Sequence, residues 1–300
     1  MLRVRIVDVF AAERFGGNPL AVVFGAETLG DADLLALTRE FGFSETSFVI
    51  AAQGPDAVAR VRIFNRRGEA AFGGHPNVGA VFAMALEGWP GVRMGPMAIE
   101  QVIGDLTVEL TEEAGEPWGA RLTMPRRFSK GVSCGVPEAA AMLMLDPSDI
   151  AVVRHPPVVA SLGLAHLIVE LTSREALARA RPDEARCARH LPLGGAEAIY
   201  CYVAPPLDGA GRADIVARRF APFDHHKEEP ATGGAAAAVA TLIDQALPVP
   251  PPDPRRYWIA QGRETGRPSR IGVVVGFPDD PARVDLFGPC HAVMAGEIAW

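Results

Sequence analysis

Cysteine is scarce in this chain and nowhere paired. Cys134, Cys187, Cys201 and Cys290 are scattered without a Cys-x-x-Cys spacing, which fits reduced packing residues in a cytoplasmic setting. Positive charge is also short: the net charge is -7 and no lysine- or arginine-rich run occurs, so nucleic acid is not an expected partner. Long apolar runs are missing too. The Ala-rich stretch around Ala238 is too short and too small in side chain to span a bilayer, so no membrane partner is expected. Met1 to Asp8 alternates like a strand and lacks the apolar core of a secretory signal. No Gly-x-Ser-x-Gly elbow occurs, and no Gly-x-Gly-x-x-Gly follows a strand, which removes support for serine hydrolysis and dinucleotide binding. Aromatic residues are few (7%) against 49% hydrophobic, so the core must be built mainly from aliphatic side chains, and 300 residues suffice for two domains.

What the sequence does have is a distinctive turn. Glu228-Glu229-Pro230-Ala231-Thr232-Gly233-Gly234 runs into Ala235 to Ile243, which carries no charge until Asp244. A helix apolar all round is a buried helix. Pro230 suits a first helical position, with Glu229 as cap. Thr232, Gly233 and Gly234 leave the first N–H groups nearly bare, which makes an anion site.

A second stretch repeats the plan. Gly73-Gly74-His75-Pro76-Asn77-Val78-Gly79 leads into the apolar run Val81 to Leu86. Each turn is preceded by a strand-like phrase, Arg62-Ile63-Phe64-Asn65 and Arg219-Phe220-Ala221-Pro222. The pattern predicts a diverged duplication, two halves each wrapped around one buried helix, with both helix starts facing one cleft. Through the two prolines, His75 matches Glu229.

Along the rest of the chain, strands are expected at Arg3 to Phe10, at the return after Asn18-Pro19, at Ala59 to Phe64, and as a hairpin of 102–110 with 120–124. In the second half they are expected at Val152-Val153, Val158-Val159, 167–169, 198–203, 214–220, 258–262 and 271–275, with short closing strands at 284–287, 291–294 and 297–300. Helices are expected at Asp31 to Phe41, Pro137 to Met144 and, as one polar surface helix, Arg174 to Ala185. Pro248 to Pro254 reads as a rigid connector. Many short strands, two central buried helices and a duplication make an α+β pattern, not a βαβ series. The two halves are 1–126, completed by about 284–300, and 127–283.

The ionisable residues narrow the chemistry. Glu45 sits between Phe43 and Phe48; an apolar setting would raise a carboxyl pKa toward that of a general acid/base, though read alone the phrase better describes a solvated loop glutamate. His75 at its helix start either donates to a substrate oxygen or caps the helix. His225-His226 beside Glu228-Glu229 is not expected to hold metal, because adjacent loop histidines point apart and no third ligand follows. Neither helix start carries Cys, which argues against a racemase built on a thiol pair.

Taken together, Asp8-Val9-Phe10, Gly17-Asn18-Pro19-Leu20-Ala21-Val22-Val23, Ser44-Glu45-Thr46-Ser47-Phe48-Val49, Gly74-His75-Pro76, Glu229-Pro230-Ala231-Thr232-Gly233, Gln261-Gly262 and Gly266-Arg267-Pro268-Ser269 resemble the phenazine-biosynthesis isomerase (PhzF-like) family, which has the diaminopimelate epimerase-like fold. They run in family order over essentially the whole chain. The resemblance implies two similar lobes, each a curled, mostly antiparallel sheet around a central buried helix, with the active site between them, and a cofactor-free isomerase, usually a homodimer, acting on a small carboxylated molecule. It makes Glu45 the proton carrier and His75 its assistant. The family's acidic residue before Pro-Ala-Thr-Gly is usually Asp and here is Glu229; the residue after that Gly is usually Ser and here is Gly234. One added methylene moves a carboxylate by about 1.5 Å, and the lost hydroxyl removes a donor and an acceptor.

The expected function is therefore cofactor-independent proton transfer on a small carboxylate, with Glu45, His75 and Glu229 catalytic. Asn18, Ser44, Gly74, Asn77, Thr232, Gly233 and Gly234 are the expected binding residues. The rival reading is a non-catalytic small-anion binder on the same scaffold.

Overall fold

The computed structural model describes residues 1–205, 214–247 and 252–300. It is a sheet-dominated α+β protein that divides into two compact units, Met1–Pro125 with Leu286–Trp300, and Arg126–Asp285.

In unit one the strands are β1 (Leu2–Val9), β2 (Asn18–Phe24), β3 (Glu45–Ile50), β4 (Ala57–Asn65), the short β5 (Gly68–Ala70), β6 (Gly95–Glu100), β7 (Leu106–Glu113), β8 (Glu116–Thr123) and the chain's last strand, β17 (Asp285–Ile298). Its helices are α1 (Asp31–Phe41) and α2 (Gly74–Leu86). β1 pairs antiparallel with β2 and β17, β2 parallel with β3, β3 antiparallel with β4, and β4 parallel with β6; β6, β7 and β8 follow antiparallel. β8 then pairs with β17, so the ring closes and leaves no edge along it. α2 packs against strands around this ring and is almost wholly buried. Gly79 permits that fit: a Cβ there would stand 2.5 Å from Leu20 and 2.7 Å from Val9. On the outer face, α1 lays Leu34 and Leu37 over Phe48 and Phe64. The alternation of Ala59, Val61 and Ile63 inward against Arg60 and Arg62 outward is the period-two pattern of a half-covered strand.

Unit two carries β9 (Ser129–Ser133), α3 (Val136–Met142), β10 (Val158–Ser161), β11 (Ala165–Glu170), α4 (Arg174–Arg179), α5 (Glu184–His190), β12 (Ile199–Val203), β13 (Ile215–Phe220), the two-residue β14 (Glu228–Glu229), α6 (Gly233–Gln245), β15 (Arg255–Gln261) and β16 (Ser269–Val275). β10 pairs antiparallel with β11, β11 parallel with β12, β12 antiparallel with β13, β13 parallel with β15, and β15 antiparallel with β16. This is the order of β1, β2, β3, β4, β6 and β7. Even the short strand recurs, with β14 on β13 as β5 is on β4.

The register matches too. Phe64 pairs with Glu69 and Ile63 with Ala70; Phe220 pairs with Glu228 and Arg219 with Glu229. The Arg62 guanidinium lies over the Phe64 ring and grips both oxygens of Glu69; Arg218 lies over Phe220 and grips both oxygens of Glu228. The duplication is thus written in hydrogen-bond register, down to one outer arginine–glutamate clamp per unit.

Several boundaries differ from expectation. Arg174 to Ala185 is two short helices, because Pro182 cannot continue the first one. The closing strands are one long strand, β17, whose pairing with β1 slips between Ile6 and Val7. The hairpin turns at Ala114-Gly115, both at positive φ, so its first strand starts and ends later and its second starts earlier than the apolar residues suggest. Val152 and Val153 belong to no strand and are exposed. Residues 248–251 of the proline-rich connector lie outside the described residues.

Candidate active site

The start of α2 gathers the unit-one candidates. β3 begins at Glu45, and β2, its parallel neighbour, begins at Asn18. Ser44 Oγ lies 3.5 Å from Asn18 Oδ1. The carboxylate of Glu45 reaches over the helix start, with Oε2 3.4 Å from His75 Nδ1. Gly73 is the N-cap, and a Cβ there would fall 3.1 Å from Glu45 Oε1 and 2.8 Å from the Pro76 ring. A glycine at the cap is what lets the carboxylate lie there.

His75, the second residue of α2, is buried, and burial pushes its pKa down to about 3. The imidazole is therefore neutral near pH 7. Its Nε2 is buried without a hydrogen-bond partner. A neutral imidazole supplies a dipole beside Glu45 and no compensating charge.

The side chain of Asn77 is engaged within the unit. Its side chain exchanges hydrogen bonds with Gln101 (3.0 and 2.8 Å) and donates to Gly73 O, while its own N–H also points to Gly73 O at 3.4 Å. The expected bare N–H at Asn77 is thus occupied, and this residue fastens the helix start. Gly74, the first helical residue, retains the usual free first-turn N–H. Pro76 is the third helical residue and costs nothing there for the same reason.

The start of α6 gathers the rest. Its N-cap is Thr232 and its first residues are Gly233 and Gly234. Pro230 therefore precedes the cap instead of opening the helix, and Glu229 lies in β14 instead of capping. Thr232 makes no side-chain cap; its hydroxyl donates to Glu229 Oε2 at 3.0 Å. The other oxygen, Oε1, is 2.7 Å from Arg219 Nη1. Gln261 donates to Glu229 O at 2.8 Å and accepts from Tyr200 Oη and Thr232 N at 2.9 and 3.3 Å. Nothing stands within 4 Å of a Cβ built on Gly234.

The matching of residues across units also changes. Ala70 and Glu229 hold the same ladder position, each three residues before its N-cap, Gly73 and Thr232. His75 therefore matches Gly234, and the two prolines do not match each other. Gln101 and Gln261 do correspond, each two residues beyond a matched isoleucine (Ile99 opposite Ala59, Ile259 opposite Ile215). Gln101, Arg219, Tyr200 and His166 were all missed in sequence. Loops of different length hide the glutamine match, and only pairing register places Arg219 opposite Glu229.

A model of the family described as phenazine biosynthesis-like protein matches residues 7–296. An uncharacterised isomerase of Mesorhizobium japonicum is 33% identical over 275 residues, covering 89% of this chain and 88% of its own. The trans-2,3-dihydro-3-hydroxyanthranilate isomerase of Pseudomonas aeruginosa is 31% identical over 275 residues, covering 90% and 89%. The crystal structure of a phenazine biosynthesis protein of the PhzF family from Bacillus anthracis superposes with a TM-score of 0.86 at 22% identity, covering 100% of this chain and 99% of that one, a likeness of fold.

Proposed function

The chain belongs to the phenazine biosynthesis-like protein family, an isomerase family by the names of its relatives, and from that premise we propose that it moves a proton on a small carboxylic acid without a cofactor. The observation that carries the reading is Glu45, held over the start of a buried helix beside a neutral imidazole. Glu45 takes a proton from carbon; the C–H electron pair stays on the substrate as an enolate-like anion. The Glu45 carboxyl exchanges its proton with solvent and then returns a proton to another carbon, or to the other face of the first. His75 polarises or positions the substrate's oxygen. The first-turn N–H groups at Gly74, and at Gly233 and Gly234, are suited to a carboxylate or the developing oxyanion. Both helix starts serving one substrate is part of the proposal, as is a homodimeric enzyme.

Placement matters more than strength here. Glu229 is one methylene longer than the aspartate usual in the resembled family, and Gly234 leaves open space where a serine is usual. The altered shape bears on which acid is accepted, and the related dihydro-hydroxyanthranilate is the first candidate.

The test is a thermal-shift screen over amino, hydroxy and aromatic carboxylic acids, trans-2,3-dihydro-3-hydroxyanthranilate included. Each hit is then incubated with enzyme in D2O. Carbon-bound deuterium in a hit supports proton transfer. Stabilising hits that take up no deuterium would establish the small-anion binder instead.

A further inference from the structure

The inner face of unit two carries charge where unit one does not. Counting along matched ladders, Leu20, Ser47, Ile63 and Ala70 in unit one correspond to His166, Tyr200, Arg219 and Glu229 in unit two. The two rows do the same structural job, passing from β2 in one unit and β11 in the other to the short strand before the buried helix. One does it with apolar and small side chains. The other does it with a buried arginine and a largely buried glutamate, flanked by a histidine whose Nε2 has no partner and a tyrosine tied to Gln261.

A buried ion pair is a poor way to hold a ladder together. Its desolvation cost offsets its Coulomb gain, and apolar residues of similar volume usually serve as well or better. Unit one demonstrates this with Ile63 opposite Ala70. The outer clamp, present in both units, already ties each short strand down. Arg219 is therefore surplus to the fold.

What Arg219 does is fix one carboxylate. It occupies Oε1 of Glu229 while Thr232 occupies Oε2 and Gln261 holds the Glu229 carbonyl. Charge-assisted bonds to both oxygens leave that side chain one orientation. We propose that Arg219 is a positioning residue: it anchors Glu229 beside the start of α6 as a stationary hydrogen-bond acceptor for the substrate, while the travelling proton is carried by Glu45 alone. This rests on the proton-transfer reading above.

The experiment combines steady-state isomerisation of trans-2,3-dihydro-3-hydroxyanthranilate with thermal unfolding. Arg219→Met is expected to lower kcat about 100-fold with KM little changed, the scale of an ångström's misplacement. Arg219→Lys, which keeps the cation, is expected to recover part of that loss. In a Glu229→Gln background, Arg219→Met should have little further effect. The pair Arg219→Ile with Glu229→Ala installs the residues of unit one; it should melt with wild type and lack activity. Wild-type kcat in that pair, or a full 100-fold loss from Arg219→Met without Glu229, would overturn the proposal. So would melting more than about 5 °C below wild type, since the ion pair would then support the fold. A wild type inert toward this acid would refute it as substrate, and the melting comparison would still decide whether Arg219 is surplus to the fold.

Discussion

At one matched ladder position unit one sets Ile63 opposite Ala70, and unit two sets Arg219 opposite Glu229. At another, Glu45 stands at the first residue of β3, and Ala198 stands one residue before β12. At the second helical residue, His75 faces no counterpart but Gly234. The framework is shared: strand order, a buried helix, an outer arginine–glutamate clamp over a phenylalanine, and a glutamine fastening the helix start. The inner-face chemistry is not shared. Copies of one fold keep what folding requires and diverge where it does not, so the differences between them point to function more directly than either half alone.

Breaking the comparison at Glu45 should cost most. Glu45→Gln is expected to lower kcat by roughly 10² to 10⁴ as a lost general acid/base, whereas Ala198→Glu should not create activity in that variant; initial rates on the screened substrate decide. Next comes the outer clamp. Arg218 is buried, and it also donates to the Leu177, Ala178 and Ala180 carbonyls. Arg218→Met should destabilise by about 3–5 kcal/mol, because it strands Glu228 and those carbonyls. The equivalent Arg62→Met should cost about 1 kcal/mol or less, since Arg62 bridges exposed Asp31 and partly exposed Glu69 and is screened by water. Urea unfolding of the two variants compares them.

Acid sharpens the comparison further. Burial holds His75 in one unit and His166 in the other at about 3, below the ordinary 6.5. Between those values the unfolded chain binds more protons, so the stability each contributes is full above about 6.5 and is lost as pH falls toward 3. Each histidine contributes a slope of about 1.4 kcal/mol per pH unit in that window. His166→Leu, which supplies the residue of unit one, should flatten the melting temperature against pH between 6 and 4. Two glycines sit in opposite surroundings. Gly79→Ala should cost about 1–3 kcal/mol through overpacking against Leu20 and Val9. Gly234→Ser, entering open space, should change stability by less than about 0.5 kcal/mol.

Much of this was legible from residues alone. Two charge-free Ala- and Val-rich runs could only be buried helices, and both are. Alternation of Ala59, Val61 and Ile63 with Arg60 and Arg62 pointed to β4, and the ordered phrases pointed to the family. The helix starts were less legible. Proline is tolerated anywhere in a first turn or just before it, so Pro76 and Pro230 could not fix where each helix begins, and aligning them paired His75 with the wrong residue. The partners of Glu229 were invisible because they are set by pairing register and turn geometry: Arg219 lies opposite it on β13, Thr232 folds back from the helix start, and Gln261 comes from β15. A strand of two residues, β14, carries no periodicity to read.

The most direct measurement is mass spectrometry of the acid identified by the screen, and of its product, after incubation in D2O with wild type and Glu45→Gln. The account predicts deuterium on carbon with wild type and none above the enzyme-free control with Glu45→Gln, at equal folded protein. Equal incorporation by both proteins would contradict it, because the proton would then travel on a group other than Glu45.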